Sequence, residues 1–278
     1  GYPRFKGKGR YDSFTYPQQG FKFKDDGKLY LSKIGDVRIK LHRSIEGEIK
    51  RLMIHKRQTG KWFASFSVDQ DDPVVPFKDG SVIGINLGLT SFATLSNGEH
   101  IENPRFFRSE EKALAKAQRK LSKTENGSPD WIKTLKVIRR IHERITNKRS
   151  NFVHQLSRQL VDNFGFIAFE YLNVKNMPKN QYVAKSISDA AWRILVTTTQ
   201  NKAAEAGSVV VLVDPKTTTR LCSRCGLKVP KTLSDQVHEC PLCGLVMDRD
   251  ENAAINILRL GLQSRDLHRL WRYRVSNL

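Results

Sequence analysis

Residues 222–254 read CSRCGLKVPKTLSDQVHECPLCGLVMDRDENAA, and they contain all four cysteines of the 278-residue chain. The cysteines form two Cys-x-x-Cys pairs, each followed by a glycine, with fourteen residues between the pairs. Two such pairs bring four thiolates to one ion, and a closed four-thiolate site suits structural Zn²⁺ because no position remains for water. We predict zinc ligation by Cys222, Cys225, Cys240 and Cys243. An iron–sulfur cluster and a redox pair are the alternatives.

The placement of the cysteines also indicates the compartment. A secreted disulfide protein would scatter its cysteines, whereas the rest of this chain has none. No stretch approaches eighteen consecutive apolar residues, and the first residues lack the apolar run of a secretory signal. We therefore expect no membrane partner and a reducing, cytoplasmic location associated with the nucleoid.

Charge indicates the partner. The chain has 48 Lys and Arg against 28 Asp and Glu, a formal net charge of +20. The excess is uneven: residues 105–150 hold 14 basic and 5 acidic side chains, a net +9. Such clustering favours nucleic acid. A basic protein that is merely soluble is the alternative, while an anionic membrane surface is disfavoured because no segment pairs this charge with a continuous apolar face.

Residues 1–80 have a β pattern. Short runs in which apolar and polar residues alternate, such as 37–41 and 62–68, are separated by turns that contain glycine. This pattern predicts a half-buried sheet that forms a β-barrel. Because the sequence starts inside this unit, we expect the barrel to be incomplete as given. Further strands are predicted at 82–87, 91–95, 166–170 and 208–213.

Residues 105–164 have a helical period and form a predicted basic hairpin of two helices. Residues 126–129 are predicted to break them, with Ser128 as the N-cap and Pro129 at the first position of the second helix. Basic residues recur every four positions on each helix, so each set lines one face. A solvated face is the usual meaning of such a stripe, but a face that follows phosphates is favoured here because neighbouring segments are basic too. The predicted nucleic-acid contacts are Lys112, Lys116, Lys120, Arg140, Arg144 and Lys148.

Two acidic positions complete the candidate chemistry. Glu170 ends a predicted buried strand, and Asp250 opens a helix predicted over 251–260. An unpaired carboxylate at a buried strand end is costly, so a metal or a basic partner is expected. Together the two could share Mg²⁺, as phosphoryl-transfer sites require. The alternatives are a salt bridge for Glu170 and a helix N-cap role for Asp250.

Further segments carry a family resemblance, and they are PRFK (3–6), SFTYP (13–17), GINLG (84–88), FE (169–170), SISDAAW (186–192) and DRDENAA (248–254). With the cysteine stretch, and in this order, they resemble the TnpB family, the transposon-encoded RNA-guided nucleases related to type V CRISPR effectors. The resemblance implies an α/β and β architecture. Its parts are a partial wedge β-barrel (1–80), an RNase H-like RuvC domain (81–215) with the helical hairpin inserted, a zinc ribbon (216–247), and a final RuvC motif with helix and tail (248–278).

The resemblance also implies a guide RNA, a DNA target paired to it, and a carboxylate triad that holds two Mg²⁺. Carried over to this chain, the triad positions are Asn86, Glu170 and Asp250. The family's nucleases have Asp at the first position, and Asn supplies one neutral oxygen in place of a charged bridging carboxylate. We therefore expect weak or absent Mg²⁺ and near-complete loss of cleavage. The segment that precedes the barrel in the family is also missing from this sequence.

The sequence thus predicts an RNA-guided DNA-binding protein with a disabled nuclease site, consistent with a nuclease-dead repressor of transcription. Two alternatives remain. One is an RNA-guided endonuclease of a transposon in which Asn86 is an engineered substitution or the activity is residual, and the other is a guide-independent DNA-binding accessory of transposition. Thr218 and Arg220, just before the cysteines, are further candidates for phosphate contact, although a turn rich in hydroxyls explains them equally well. No protein partner is predicted.

Overall fold

The computed structural model of the protein describes residues 11–70, 78, 81–171, 191–214, 218–232 and 235–264. The chain divides into two compact units, one formed by Gly1–Val74 with Ala117–Glu143 and the other by Val75–Lys116 with Arg144–Leu278. The segments 3–6 and 186–190, which carry part of the resemblance, lie outside the described residues.

The first unit contains two antiparallel three-stranded sheets. Strands β1 (Ser13–Pro17), β5 (Glu48–Lys56) and β6 (Trp62–Asp69) form one sheet, in the order β1-β5-β6. Strands β2 (Phe21–Phe23), β3 (Lys28–Leu31) and β4 (Gly35–Arg38) form the other. One apolar core contains buried residues of both sheets, namely Leu29, Leu31, Leu52 and Ile54. The predicted alternation of buried and exposed residues in this region is confirmed.

The second unit is built on a five-stranded mixed sheet. Its strands are β7 (Ser81–Leu87), β8 (Ser91–Leu95), β9 (His100–Glu102), β10 (Phe164–Glu170) and β11 (Val209–Val213), in the order β11-β10-β7-β8-β9. The first three run as antiparallel neighbours, whereas β10 is parallel to both β7 and β11. The strands predicted at 82–87, 91–95, 166–170 and 208–213 are confirmed, with ends within two residues of those expected.

Four helices are described, in residues 106–121, 129–163, 192–206 and 249–263: α1 (Phe106–Leu121), α2 (Pro129–Asn163), α3 (Trp192–Ala206) and α4 (Arg249–Gln263). The break between α1 and α2 is as predicted, since the Trp131 amide donates to Ser128 Oγ, which caps α2. None of the described helices is both long enough and apolar enough to cross a bilayer.

The sheet of the second unit has a helical layer on each face. Ile85 and Phe169 pack with residues of α2 and α3, including Val153, Leu156 and Leu195. On the other face, the partners of α4 are apolar residues of β10 and β11, and the cluster contains Phe166, Ala168, Val211 and Ile257. Burial on both faces explains why the central strands are continuous apolar runs.

Helix α4 lies unusually close to the sheet. A Cβ at Gly84 would collide with the carbonyl oxygen of Ala254 and lie 2.7 Å from Leu258 Cβ, and a Cβ at Gly261 would lie 2.7 Å from Ala168 Cβ. Only glycine permits these contacts, because real Cβ atoms essentially never approach so closely. The two glycines therefore fix the height of α4 above β7 and β10.

Candidate carboxylate site and thiolate centre

The four cysteines meet as predicted. Their sulfur atoms all lie within 4.8 Å of one another, and all four are free thiols. Two of the separations are 3.6 Å, between Cys222 and Cys243, and 3.5 Å, between Cys225 and Cys240. A tetrahedral zinc ion with bonds of about 2.3 Å places its sulfur ligands about 3.8 Å apart. The thiolate centre therefore fits Zn²⁺ closely.

The local backbone explains how the pairs are shaped. In each Cys-x-x-Cys-Gly turn the glycine amide donates to the carbonyl of the first cysteine, at 2.9 Å, and the glycine has positive φ, +77° at Gly226 and +68° at Gly244. The turns aim backbone N–H groups at sulfur. Those of Cys243 and, against the opposing effect of burial, Leu242 lower the pKa of Cys240 to about 6. Cys240 thereby favours the thiolate form that a metal ligand requires.

The strand register places two of the three triad positions side by side. Ile85 of β7 pairs with Phe169 of the parallel strand β10, so the next positions along are Asn86 and Glu170. Side chains alternate between faces, so both share the face of Gly84 and Ala168, against which α4 packs. Asn86 is 6% exposed, and Glu170 is half-buried. Two positions that are 84 residues apart in sequence thus become neighbours.

Helix α4 brings the third position to the same face. A Cβ at Gly88, two residues beyond Asn86, would lie 3.8 Å from Asp250 Oδ2. The suggestion that Asp250 caps the helix is wrong: Asp248 is the N-cap, and its Oδ1 accepts the amides of Asp250 (2.8 Å) and Glu251 (3.0 Å). Since Asp248 serves the helix end, the Asp250 carboxylate is left for the site, where Arg249 Nε donates to its Oδ1 at 3.1 Å.

The charge environment of Glu170 is acidic. Burial, followed by the charges of Asp214 and Asp250, raises the pKa of Glu170 to about 7. Among the described residues no Lys or Arg forms an ion pair with Glu170, so the salt bridge considered for it is not found there. Asp214, which follows β11, was missed in the sequence. The sequence shows that Asp214 directly follows a predicted strand, but only the parallel pairing of that strand with β10 places it at the same sheet edge as Glu170.

These groups form a carboxylate site with a neutral side chain at its first position. Carboxylate and amide oxygens are Mg²⁺ ligands, and carboxylates held together without a basic partner at Glu170 gain from a cation. Glu170 and Asp250 supply oxygens of the type that a divalent ion prefers. Asn86 fits it less well, because it adds no charge and its NH₂ group can only donate.

The predicted nucleic-acid contacts lie mainly on the helices. Lys112, Lys116 and Lys120 are exposed on α1, and Arg140, Arg144 and Lys148 are exposed on α2. Two of them are already paired. Glu110, whose side chain is 11% exposed, accepts Lys148 at 3.1 Å and lies 3.4 Å from Arg144 Nε. The other four side chains are exposed and form no ion pair among the described residues, and they are Lys112, Lys116, Lys120 and Arg140.

The two candidates before the ribbon differ. Arg220 is exposed, whereas Thr218 is 1% exposed and its carbonyl accepts Asn256 Nδ2 at 2.9 Å. The Thr218 side chain therefore has almost no surface to offer a phosphate in this conformation. Arg220 alone keeps the predicted role as a proposal.

Comparison with known families gives two matches. A family described as "Probable transposase" matches residues 65–181, and one described as "Cas12f1-like, TNB domain" matches residues 192–257. Together the two matched segments contain the carboxylate positions and the cysteines.

Comparison with individual proteins gives longer alignments. A protein of Streptomyces pristinaespiralis, "Putative RNA-guided DNA endonuclease", is 36% identical over 94% of this chain and 66% of its own length. "Putative RNA-guided DNA endonuclease InsQ" of Escherichia coli K12 is 29% identical over 94% of this chain and 68% of its own. The chain thus spans about two thirds of the length of these relatives. A solved structure, "Cryo-EM structure of the Cas12f1-sgRNA-target DNA complex", aligns with 88% of this chain and 66% of its own, at 18% identity and a TM-score of 0.47.

Proposed function

The chain belongs to the TnpB family, and on that premise we propose that it binds DNA under the direction of a guide RNA while its nuclease site is disabled. The observation that carries the proposal is the position of Asn86. It stands beside Glu170 on the face where α4 presents Asp250, at the place of the family's first catalytic Asp. The site is assembled, and one of its three carboxylates is replaced.

The fold supports a RuvC-like domain of the RNase H type. Three antiparallel strands followed by two parallel ones, in the order β11-β10-β7-β8-β9, place the ends of β7 and β10 together at the centre of the sheet. A helix that carries the last carboxylate packs on one face, as such a domain needs. The two small sheets of the first unit support the wedge assignment.

The chemistry of Asn86 explains the loss of cleavage. Two divalent ions at such a site stabilise the attacking and leaving oxygens of a phosphodiester. The residues that would hold them here are Glu170 and Asp250, with only the neutral oxygen of Asn86 as a third. An Asp at 86 would add a full negative charge and a second oxygen. Each 1.36 kcal/mol of lost transition-state stabilisation costs about tenfold in rate, so losing a ligand worth several kcal/mol removes cleavage almost completely.

Binding rests on other residues and survives the substitution. The net charge of +20 and the exposed Lys and Arg on α1 and α2 suit phosphate backbones, and the relatives are named as RNA-guided endonucleases. Base pairing between guide and target supplies sequence specificity, so the protein needs only to hold the duplex. A protein that occupies a DNA site without cutting it blocks transcription there, and repression is the proposed outcome.

The test is to purify the protein from cells that carry its native locus and to sequence the RNA that remains bound at high salt. Labelled duplexes that match or do not match a segment of that RNA are then compared in binding and cleavage assays with Mg²⁺. We expect tight binding of the matched duplex alone, without nicking. Binding that ignores the RNA and the sequence, and that weakens steeply with salt, would instead show a guide-independent DNA-binding accessory.

A second candidate, an RNA-guided endonuclease with residual activity, is favoured by one observation. Glu170 and Asp250 are both present and both face the site, with Asp214 adding further negative charge near Glu170. Nicking of the matched duplex by the unaltered chain, abolished by Glu170→Gln, would establish it.

A further inference from the structure

The first turns of α4, which present Asp250, are held by the cysteine unit through two fully buried asparagines. Asn252 Nδ2 donates to the Leu221 carbonyl at 2.8 Å, and its Oδ1 accepts the Ser223 amide at 2.9 Å. Ser223 lies between two of the cysteines, Cys222 and Cys225. One turn further along α4, Asn256 Nδ2 donates to the carbonyls of Thr218 and Leu221, at 2.9 and 2.7 Å. Both asparagines are 0% exposed.

The start of the helix is tied to the same unit from the other side. The N-cap residue Asp248 is the last residue of β13 (Val246–Asp248), which pairs with β12 (Val237–Glu239) in the cysteine unit. The Arg249 amide donates to the Gln236 carbonyl at 2.8 Å, and Arg249 Nη1 donates to the Asp235 carbonyl at 2.9 Å. Asp248, Arg249 and Asn252 thus all contact residues of the cysteine unit. Asp250 lies among these three residues in the first turn of α4.

We propose that Asn252 and Asn256 are positioning residues that couple the zinc state of the thiolate centre to the placement of Asp250. The contacts are directional and buried. When zinc leaves, the Cys222–Cys225 turn loses the bonds that fix it, and the asparagines lose their hydrogen-bond partners. A buried amide group without a hydrogen bond costs free energy. Zinc at one site thereby becomes a condition for carboxylate geometry at the other, and linkage makes the coupling reciprocal.

The role assigned to Asp250 rests on the proposed function, but the coupling itself is measurable without nuclease activity. The readout is hydrogen exchange at the amides of Asp250 and Glu251. Both amides donate to Asp248 rather than to Asn252, so they report the first turn of α4 and not a bond that the substitution removes directly. Exchange is compared in the zinc-loaded and zinc-depleted protein, each with and without Asn252→Ala. Asn151→Ala, an exposed asparagine of α2, is the matched control.

We expect zinc removal to speed exchange at these two amides at least about fivefold, the lower end of typical coupling between sites. Asn252→Ala should produce a similar change in the loaded protein and little further change in the depleted one, while Asn151→Ala changes neither. Exchange at 250–251 that does not respond to zinc would overturn the proposal. So would an effect of Asn252→Ala that persists in full after depletion, because the asparagine would then act without the thiolate centre. If Asn252→Ala does not fold, the zinc comparison on the unaltered chain still decides.

A second measurement separates this inference from the proposed function. In Asn86→Asp, Mn²⁺ is titrated as a probe of the carboxylate site, followed by its paramagnetic resonance signal, with and without zinc in the cysteine unit. The coupling predicts an affinity at least about fivefold weaker without zinc. Failure of the zinc-loaded Asn86→Asp protein to bind Mn²⁺ at all would contradict the proposed carboxylate site, while the exchange data would still decide the coupling.

Discussion

The thiolate centre is connected to the carboxylate site by β13, which leads directly into α4 and Asp250. The two sites differ in how the sequence encodes them. The thiolate centre draws its four ligands from 22 residues, and all four are present and within 4.8 Å of one another. The carboxylate site draws on residues 86, 170 and 250, and one of the three is an asparagine. The local centre is complete, whereas the assembled site lacks one charge.

On the proposed function, the carboxylate site has lost its chemistry and kept its architecture. The β7–β10 register, the glycine contacts under α4 and the Asp248 cap all position groups at 86, 170 and 250, whatever the side chain at 86 is. These packing features stabilise the fold as well, so a substitution at 86 leaves them in place.

Cys225→Ser tests the thiolate centre by removing one of its four sulfur ligands. We expect loss of zinc and collapse of the cysteine unit, because zinc binding supplies on the order of 10 kcal/mol to such small folds. Metal content and the protease sensitivity of residues 218–248 measure it. Leu242→Ala, an exposed position of the second turn, is the control and should keep the metal. A Cys225→Ser protein with a full zinc complement and an intact unit would contradict the assignment.

Gly84→Ala tests the packing of α4 against β7, which positions Asp250 at the carboxylate site. The new methyl group would collide with the Ala254 carbonyl, so α4 must lift, and we expect a loss of about 3 kcal/mol or more in unfolding free energy. Chemical denaturation measures this loss. Val82→Ala, at an exposed position of the same strand, should cost far less. Equal effects of the two substitutions would show that α4 does not pack where the structure places it.

Glu170→Gln tests the effect of the raised Glu170 pKa on the unfolding free energy. Because the pKa of Glu170 is raised from 4.5 to about 7, the folded protein holds a proton in this range that the unfolded chain has lost. Unfolding free energy should therefore fall as the pH rises from about 4.5 to about 7 and then level off, by at most about 3 kcal/mol. Glu170→Gln should remove this fall and stabilise the protein at pH 8 when no divalent ion is added for the carboxylate site.

Thermal unfolding against pH, in buffer without added divalent ions and without chelator so that zinc stays bound, measures the effect. Glu99→Gln, an exposed carboxylate, is the control. A fall in stability of the same size in the Glu170→Gln protein would assign it to other groups.

The smallest effect is expected from Asp214→Asn. Removing the charge next in importance to burial should lower the pKa of Glu170. Without added divalent ions, the unfolding free energy should then rise by about 1 kcal/mol or less at pH 8. A pH titration of the Glu170 carboxyl carbon by NMR follows the pKa directly. An unchanged titration would remove Asp214 from the site.

The sequence predicted what is local or periodic. The Cys-x-x-Cys spacing identified the thiolate centre, alternation identified strands of the first unit, and Ser128 with Pro129 marked the start of α2 correctly. It did not identify what depends on tertiary contacts. Asp250 was considered as a cap because it opens an apparent helix, but the backbone turns two residues earlier and Asp248 accepts the amides. Thr218 was considered for phosphate contact, but it is 1% exposed, and Asn256 of α4 donates to its carbonyl.

Asp214 and the two asparagines show why the remainder was out of reach. Asp214 matters only because β11 lies parallel to β10, a pairing of residues about 40 positions apart. Asn252 and Asn256 are polar residues on the apolar face of a helix, and their partners, in residues 218–223, come from a distant loop. In each case the role comes from long-range contacts, which spacing alone does not encode.

The most direct test of the central claim compares the unaltered protein with Asn86→Asp, each carrying the RNA purified with it, on a plasmid that matches that RNA, in Mg²⁺. We expect both proteins to bind the matched plasmid and only Asn86→Asp to cut it, at a rate higher by several powers of ten. Equal cutting by the two proteins would contradict the claim that Asn86 disables the site. Binding by both with cutting by neither would show that the nuclease has been lost through more than this one residue.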